Sequence, residues 1–390
     1  MLRSLYSGIS GLRAHQTMLD VTGANIANVN TAGYKSGTTQ FQDTLSQLTQ
    51  GATAPQGGTG GSNPAQIGLG VRVAGVTNNF SQGSSQATGK ATDMMISGDG
   101  FFVTSKGGQQ LFTRAGAFNL DAAGQLVSPD GGILQGWKAD ANGAVNTTGA
   151  VGTITLNPNN MVATATNAVS LDGNLPGDAT VPTSLNRVVK VYDGAGAARD
   201  LNLTFDKTAT GWDVTGNDGS GPVTVGLAQG ANGTLTASGA LTVGGITVAL
   251  NKLSGYAKVE TLTVAGQNGS AAGSLESYTL GSDGSLIGSF SNGTKQVMAK
   301  IALAKFTNPA GLEKAGSSSY TATGNSGVVQ FGSAGAPGLG TLSGGTLEMS
   351  NVDLSQEFTN LIVAQRGFQA NARIITTSDE VLQELTQLKR

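Results

Sequence analysis

One histidine, His15, and no cysteine stand among 390 residues, so the side chains that most often do chemistry near neutral pH are almost missing. A zinc centre ordinarily recruits several His or Cys ligands, and a single imidazole has no neighbour of its kind with which to share a metal or relay a proton. Disulfides, thiol nucleophiles and thiolate metal sites are excluded outright. Paired carboxylates could still act as general acid and base. Six of the 24 acidic residues, however, stand in Asp-Gly pairs, at 99–100, 130–131, 172–173, 193–194, 218–219 and 283–284, and that pairing is turn chemistry. Gly57-Gly58-Thr59-Gly60-Gly61 lacks both the Lys-Ser/Thr and the helix that a phosphate cradle needs. Asn-x-Ser/Thr triplets, among them those at Asn146, Asn202, Asn232, Asn268 and Asn292, read without a secretory signal as strand and turn residues. No catalytic, cofactor or metal residue is predicted, and the expected role is structural, not enzymatic.

The bulk composition agrees. Glycine supplies 60 residues and charged side chains only 12%, where about 25% is usual. At 38% apolar the chain can bury more than one core. The formal charge of −2, with no basic cluster, predicts no nucleic-acid partner. No apolar run is long enough to span a bilayer, so direct membrane insertion is not expected, and the first residues lack the apolar stretch of a cleavable signal peptide.

The elements that must position any functional surface lie at the chain ends. Leu2, Leu5, Ile9, Leu12, Gln16, Leu19, Gly23 and Ile26 recur at alternating steps of three and four, as do Leu354, Phe358, Leu361, Gln365, Phe368, Ala372, Ile375, Asp379 and Leu382, with Leu385 and Leu388 beyond. Both series predict one stripe of a long helix with coiled-coil spacing. Asp353 is placed to cap the second helix, with Gln356 three residues on. Residues 1 to 30 carry only Arg3, Arg13 and Asp20 as charges, fewer than a free coiled coil shows, so these helices are read as an assembly surface. His15 is assigned to packing or to the surface, and Arg366, Arg373, Asp379, Glu380 and Glu384 to a solvated or intersubunit face.

Between the helices, 36–70 reads as a Gly-rich linker or extended segment. From Val71 onward short β-branched and aromatic runs alternate with turn dipeptides, which predicts antiparallel sheets. Aromatic-poor residues 141–290 separate two Phe-rich flanks. The expected fold is therefore mainly β with long terminal α-helices: 1–35 and 353–390 pair as a coiled-coil-like core domain, 71–140 and 291–352 form a first β domain, and 141–290 form an inserted outer β domain nested within it.

Residues 24–35 read Ala-Asn-Ile-Ala-Asn-Val-Asn-Thr-Ala-Gly-Tyr-Lys, which resembles the N-terminal signature of the flagellar rod, hook and hook-associated axial proteins; Asn25, Asn28, Thr31, Gly33 and Tyr34 are its matching positions. The stretch 347–372, with Asn351, Asp353, Gln365, Arg366, Phe368 and Asn371, resembles the C-terminal signature of that family. Gly98-Asp-Gly-Phe-Phe-Val103, Phe112-Thr-Arg-Ala-Gly116 and 303–312 resemble its first β domain. The large middle insertion favours a hook-type subunit, the alternative being a distal rod or other rod-type subunit. The resemblance implies a helical homopolymer, a curved hollow tube that acts as a universal joint and transmits torque. It further implies the distal rod protein, hook cap, hook–filament junction protein, hook-length ruler and flagellar type III export apparatus as partners. It places the protein outside the cell, exported without a cleaved signal peptide. The chain ends, unable to bury their stripes in a lone subunit, are expected to be largely disordered before assembly.

Overall fold

The computed structural model describes residues 2–55, 57–58, 60–140, 143–156 and 162–387. The chain is mainly β with two long helices, α1 (Leu2–Ala27) and α2 (Leu354–Gln387), about 39 and 51 Å long at 1.5 Å per residue. α1 stops where Asn28 bends back, its Nδ2 donating to the Ala24 carbonyl at 2.8 Å, and where Gly33 turns left-handed (φ +69°). α2 starts on Asp353, whose Oδ1 accepts from the Ser355 N–H at 2.8 Å and the Gln356 N–H at 3.3 Å. The expected cap is there, but the Gln356 side chain turns forward to Asn360 and does not close a reciprocal box.

The helices lie antiparallel, and contact partners descend on α2 as they ascend on α1. A Cβ on Gly8 would meet Ile374, one on Gly11 would meet Asn371, and one on Gly367 would meet the His15 ring. The facing stripe is therefore built on small residues, with Ala14 and Ala364 fully buried. It is turned by about one residue from the expected one. Leu5, Ile9, Leu12, Leu19, Ile26, Leu361, Phe368, Ile375 and Leu382 are half-buried on its flank, while Leu354 and Phe358 are exposed. The side chain of Leu2 and residue Leu388 lie outside the described residues.

The expected linker is largely β structure. β1 (Gly37–Asp43) pairs antiparallel with β4 (Val71–Asn78), and β2 (Ser46–Gln50) with β3 (Ala65–Gly68). Even within 51–64, Thr53 bridges Ser62. Thr and Gln are frequent in β1 and β2, and β4 alternates half-buried with exposed residues over most of its length. α1 packs on the β1–β4 ribbon: the Val71 N–H donates to Ser10 Oγ at 3.2 Å, and His15 meets Phe41 edge-on at 5.7 Å. His15 thus has the packing role expected of it.

The remaining strands bury two separate cores. A twelve-stranded sheet encloses Ile96, Phe102, Phe118, Leu134, Ile154, Ile301 and Leu303 on one side, and Phe101, Phe112, Phe306 and Tyr320 on another. A second core gathers Leu171, Leu201, Leu203, Phe205, Trp212, Val214 and Ile246. Its strand Ala198–Lys207 shows why it folds so: Leu201, Leu203 and Phe205 are buried at every second position, the β period. Two expectations change. Gly152–Thr153, Leu275–Leu280 and Ser285–Phe290 belong with the first sheet, so 141–290 overruns the second core at both ends. The sheets are also not purely antiparallel, because Ala168–Asn174 pairs in parallel with Ile246–Ala249 and Leu253–Ser254. The long chain between these strands supplies the crossover that parallel pairing requires.

Candidate functional site at the junction of the chain ends

The two family-like signatures converge where α1 ends, α2 begins and the first β core closes. Asn25 is 1% exposed and spends every polar atom there. Its Nδ2 donates to the Gly37 carbonyl at 2.8 Å and to Glu357 Oε1 at 3.1 Å, and its Oδ1 accepts from the Gly37 N–H at 3.0 Å and the Tyr34 hydroxyl at 3.1 Å. One side chain therefore joins α1, β1 and α2. Burial, and then the nearby Glu357, raise the Tyr34 hydroxyl above its ordinary pKa. Thr31 Oγ1 donates to Asn28 Oδ1 at 3.1 Å, which rigidifies the turn after α1.

Asn351 does the matching work from the other end. Its Oδ1 accepts from the Ser36 N–H at 2.9 Å, and its Nδ2 donates to the Asn79 carbonyl at 2.8 Å and the Ser81 carbonyl at 3.2 Å. Asn371 bonds back to the Gly367 carbonyl at 2.8 Å and packs against Gly11. Gln365 and Arg366 are exposed and make no junction contact. The signatures thus divide: Asn25, Gly33, Tyr34, Asn351 and Asp353 hold the junction, whereas Gln365 and Arg366 face away from it.

Beneath these amides lies a charge cluster that sequence reasoning passed over. Lys35 Nζ donates to Glu348 Oε1 at 2.6 Å with both side chains 0% exposed, and to the Ser81 carbonyl at 2.7 Å. Arg114 Nη1 reaches Glu348 Oε2 at 3.3 Å, and the Gly83 N–H adds a bond to Oε1 at 2.9 Å. Burial pulls the Lys35 ammonium below its ordinary pKa, opposed by its bond to Glu348. All three residues stand inside quoted motifs. In a chain with so few charges, a Lys, an Arg and a Glu each within one of those motifs was the signal that could have found them.

Two substitutions test the junction. Asn25→Ala strands the Gly37 N–H and carbonyl and leaves Glu357 without its amide partner, so a loss of about 2–3 kcal/mol in the unfolding free energy of the assembled form is expected. Gly33→Ala puts a Cβ 2.3 Å from the Ala115 nitrogen at a left-handed φ. Urea unfolding followed by intrinsic fluorescence should show a loss of about 3 kcal/mol, and an unchanged midpoint would mean that the close approach of Gly33 to Ala115 is not maintained in solution.

Helical chain ends meeting over a β body, with signatures at both ends, define the class of flagellar rod and hook axial proteins. Residues 5–35 match the family described as flagella basal body rod protein, 95–188 the flagellar hook protein FlgE/F/G D1 domain, and 343–388 the flagellar basal body rod FlgEFG protein C-terminal. The chain is 38% identical to the flagellar hook protein FlgE of Borreliella burgdorferi, with 100% of both chains covered, and 36% identical to that of Salmonella typhimurium over 99% of this chain and 100% of the other. It is also 33% identical, over 100% of each chain, to the flagellar basal-body rod protein FlgG of Bacillus subtilis. Among solved structures, Helicobacter pylori flagellar hook protein FlgE2 shares the fold with a TM-score of 0.54 at 15% identity, covering 68% of this chain and 100% of its own. The chain belongs to the flagellar hook protein FlgE family; it is a structural subunit of the hook, not an enzyme.

Proposed function

We propose that the subunit self-assembles through its terminal helices into a curved, hollow helical tube that serves as a universal joint between rod and filament. The observation that carries this reading is an apolar face on α2 with nothing over it: Leu354, Phe358, Ile362 and Val363 are 40%, 51%, 57% and 54% exposed. Contiguous apolar surface of this kind marks an interaction site. A contact that does not close on itself, repeated by one subunit, builds a helical tube. The helix pair then forms a coiled-coil-like inner wall, with its half-buried stripe residues packed by neighbouring copies. The hairpin formed by β1 to β4 adds exposed Leu45, Leu48 and Ile67 to the subunit contacts.

In this reading the first core, with strands drawn from both sides of the insertion, is an inner β domain. The core around Trp212 is an outer domain nested within it and set further from the axis. Bending compliance resides in wet, polar contacts between the outer domains and torsional stiffness in the helices. The distal rod protein, hook cap, hook–filament junction protein, hook-length ruler and type III export apparatus are the proposed partners. The protein acts outside the cell, exported without a cleaved signal peptide. Electron microscopy of the full-length chain beside one lacking 1–35 and 353–390, both under salting-out conditions, tests the assembly. Curved hollow tubes from the full-length chain alone are expected. Straight tubes would indicate a rod-type subunit, and tubes from the truncated chain would overturn the role of the helices.

A further inference from the structure

A cleft of about 250 Å³ opens beside the buried charge cluster, walled by Phe80, Phe101, Phe306 and Pro309, with Arg114 and Lys305 also among its lining residues. Arg114 is 3% exposed. Among the described residues its only hydrogen bond is the one from Nη1 to Glu348, and its buried Nε has no partner. The guanidinium lies over the Phe101 ring, 5.4 Å from the centroid. Lys305 has no carboxylate within 4.0 Å among the described residues, and its Nζ rests against Gly338.

The charge is not balanced. Lys35 and Arg114 share a single carboxylate, Glu348, whose two oxygens are already engaged. Asp99 also lines the cleft, but its residue is exposed and it pairs with neither cation. Buried charge normally comes with a counter-charge, and an arginine with an unpartnered Nε lining one aromatic-walled cleft together with a lysine is a residue set that suits an oxyanion. We propose that this cleft binds a small oxyanion of the carboxylate or phosphate kind, arriving either free in solution or as an acidic side chain of an adjacent copy of this chain. Its occupancy completes the charge balance under the junction, so binding stabilises the first β core.

The test is a calorimetric titration of the full-length unassembled chain with sodium phosphate at constant ionic strength, paired with thermal unfolding. Phosphate also stabilises proteins by exclusion from their surface, without saturation. Saturable binding at one site per chain is expected, with affinity at least about tenfold weaker in Lys305→Gln and none in Lys305→Glu, which supplies its own carboxylate. Lys305 lies at the end of a strand and is half-exposed, so both variants keep the core. Unsaturable stabilisation that is equal in all three chains would overturn the proposal. The same titration on assembled tubes separates the sources: sites still open there take a free anion, and sites lost there are filled by a neighbour's carboxylate.

Discussion

Replacing Glu348 with alanine is expected to remove about 3–5 kcal/mol from the stability of the first β core. The reason is electrostatic. Among the described residues Glu348 is the only carboxylate paired with Lys35 and Arg114, and all three side chains lie at 0–3% exposure. Its removal leaves two cations buried without compensation and frees the Gly83 N–H as well. Lys35→Met should cost much less, because the remaining Arg114–Glu348 pair is balanced. The two tryptophans make the measurement clean. Trp137 lies in a strand of the first sheet and Trp212 in the second core, so Trp212→Phe leaves a reporter for the first core and Trp137→Phe one for the second. Glu348→Ala should shift only the Trp137 transition. Equal shifts at both reporters would mean that the cores unfold as one unit, and no shift would mean that the cluster is solvated in solution.

The second large effect concerns assembly without loss of fold. Phe358→Ser with Ile362→Ser removes two side chains that are 51% and 57% exposed in the single chain, so neither core loses packing. Each is already about half-buried, so covering the rest against a neighbouring subunit is worth about half of the ~1.5–3 kcal/mol of full burial, and every 1.4 kcal/mol is about a factor of ten in an association constant. The double variant should therefore raise the concentration needed for tube formation by about ten- to a hundredfold, as read by sedimentation. Its thermal unfolding should match that of the parent. An unmoved threshold would show that this face of α2 points away from the subunit contacts.

Much of this arrangement was legible in local pattern. The three–four spacing marks both helices because a helix buries one stripe whatever it packs against. The alternation of Leu201, Leu203 and Phe205 marks a strand for the same one-body reason. The near-absence of His and Cys closed off most enzymatic chemistry before any fold was considered. Asp353 was readable as a cap because its partners lie two and three residues away.

Tertiary structure alone decided which residues meet. Leucine spacing points to one stripe, yet the helices close on Gly8, Gly11 and Gly367. The approach of two backbones is set by the smallest residues between them, which hydrophobic periodicity does not register. The strands β1 to β3 were not read as such because they are mostly exposed and β1 and β2 are largely polar, so their pairing depends on a partner strand and not on burial. The edges of the two cores were misplaced for a related reason: Leu275–Leu280 is assigned by the strand it bonds to, and composition does not carry that information. Lys35 and Glu348 stand 313 residues apart. A buried ion pair of that separation is a property of two positions at once, which the folded chain brings together and a linear reading of residue types does not.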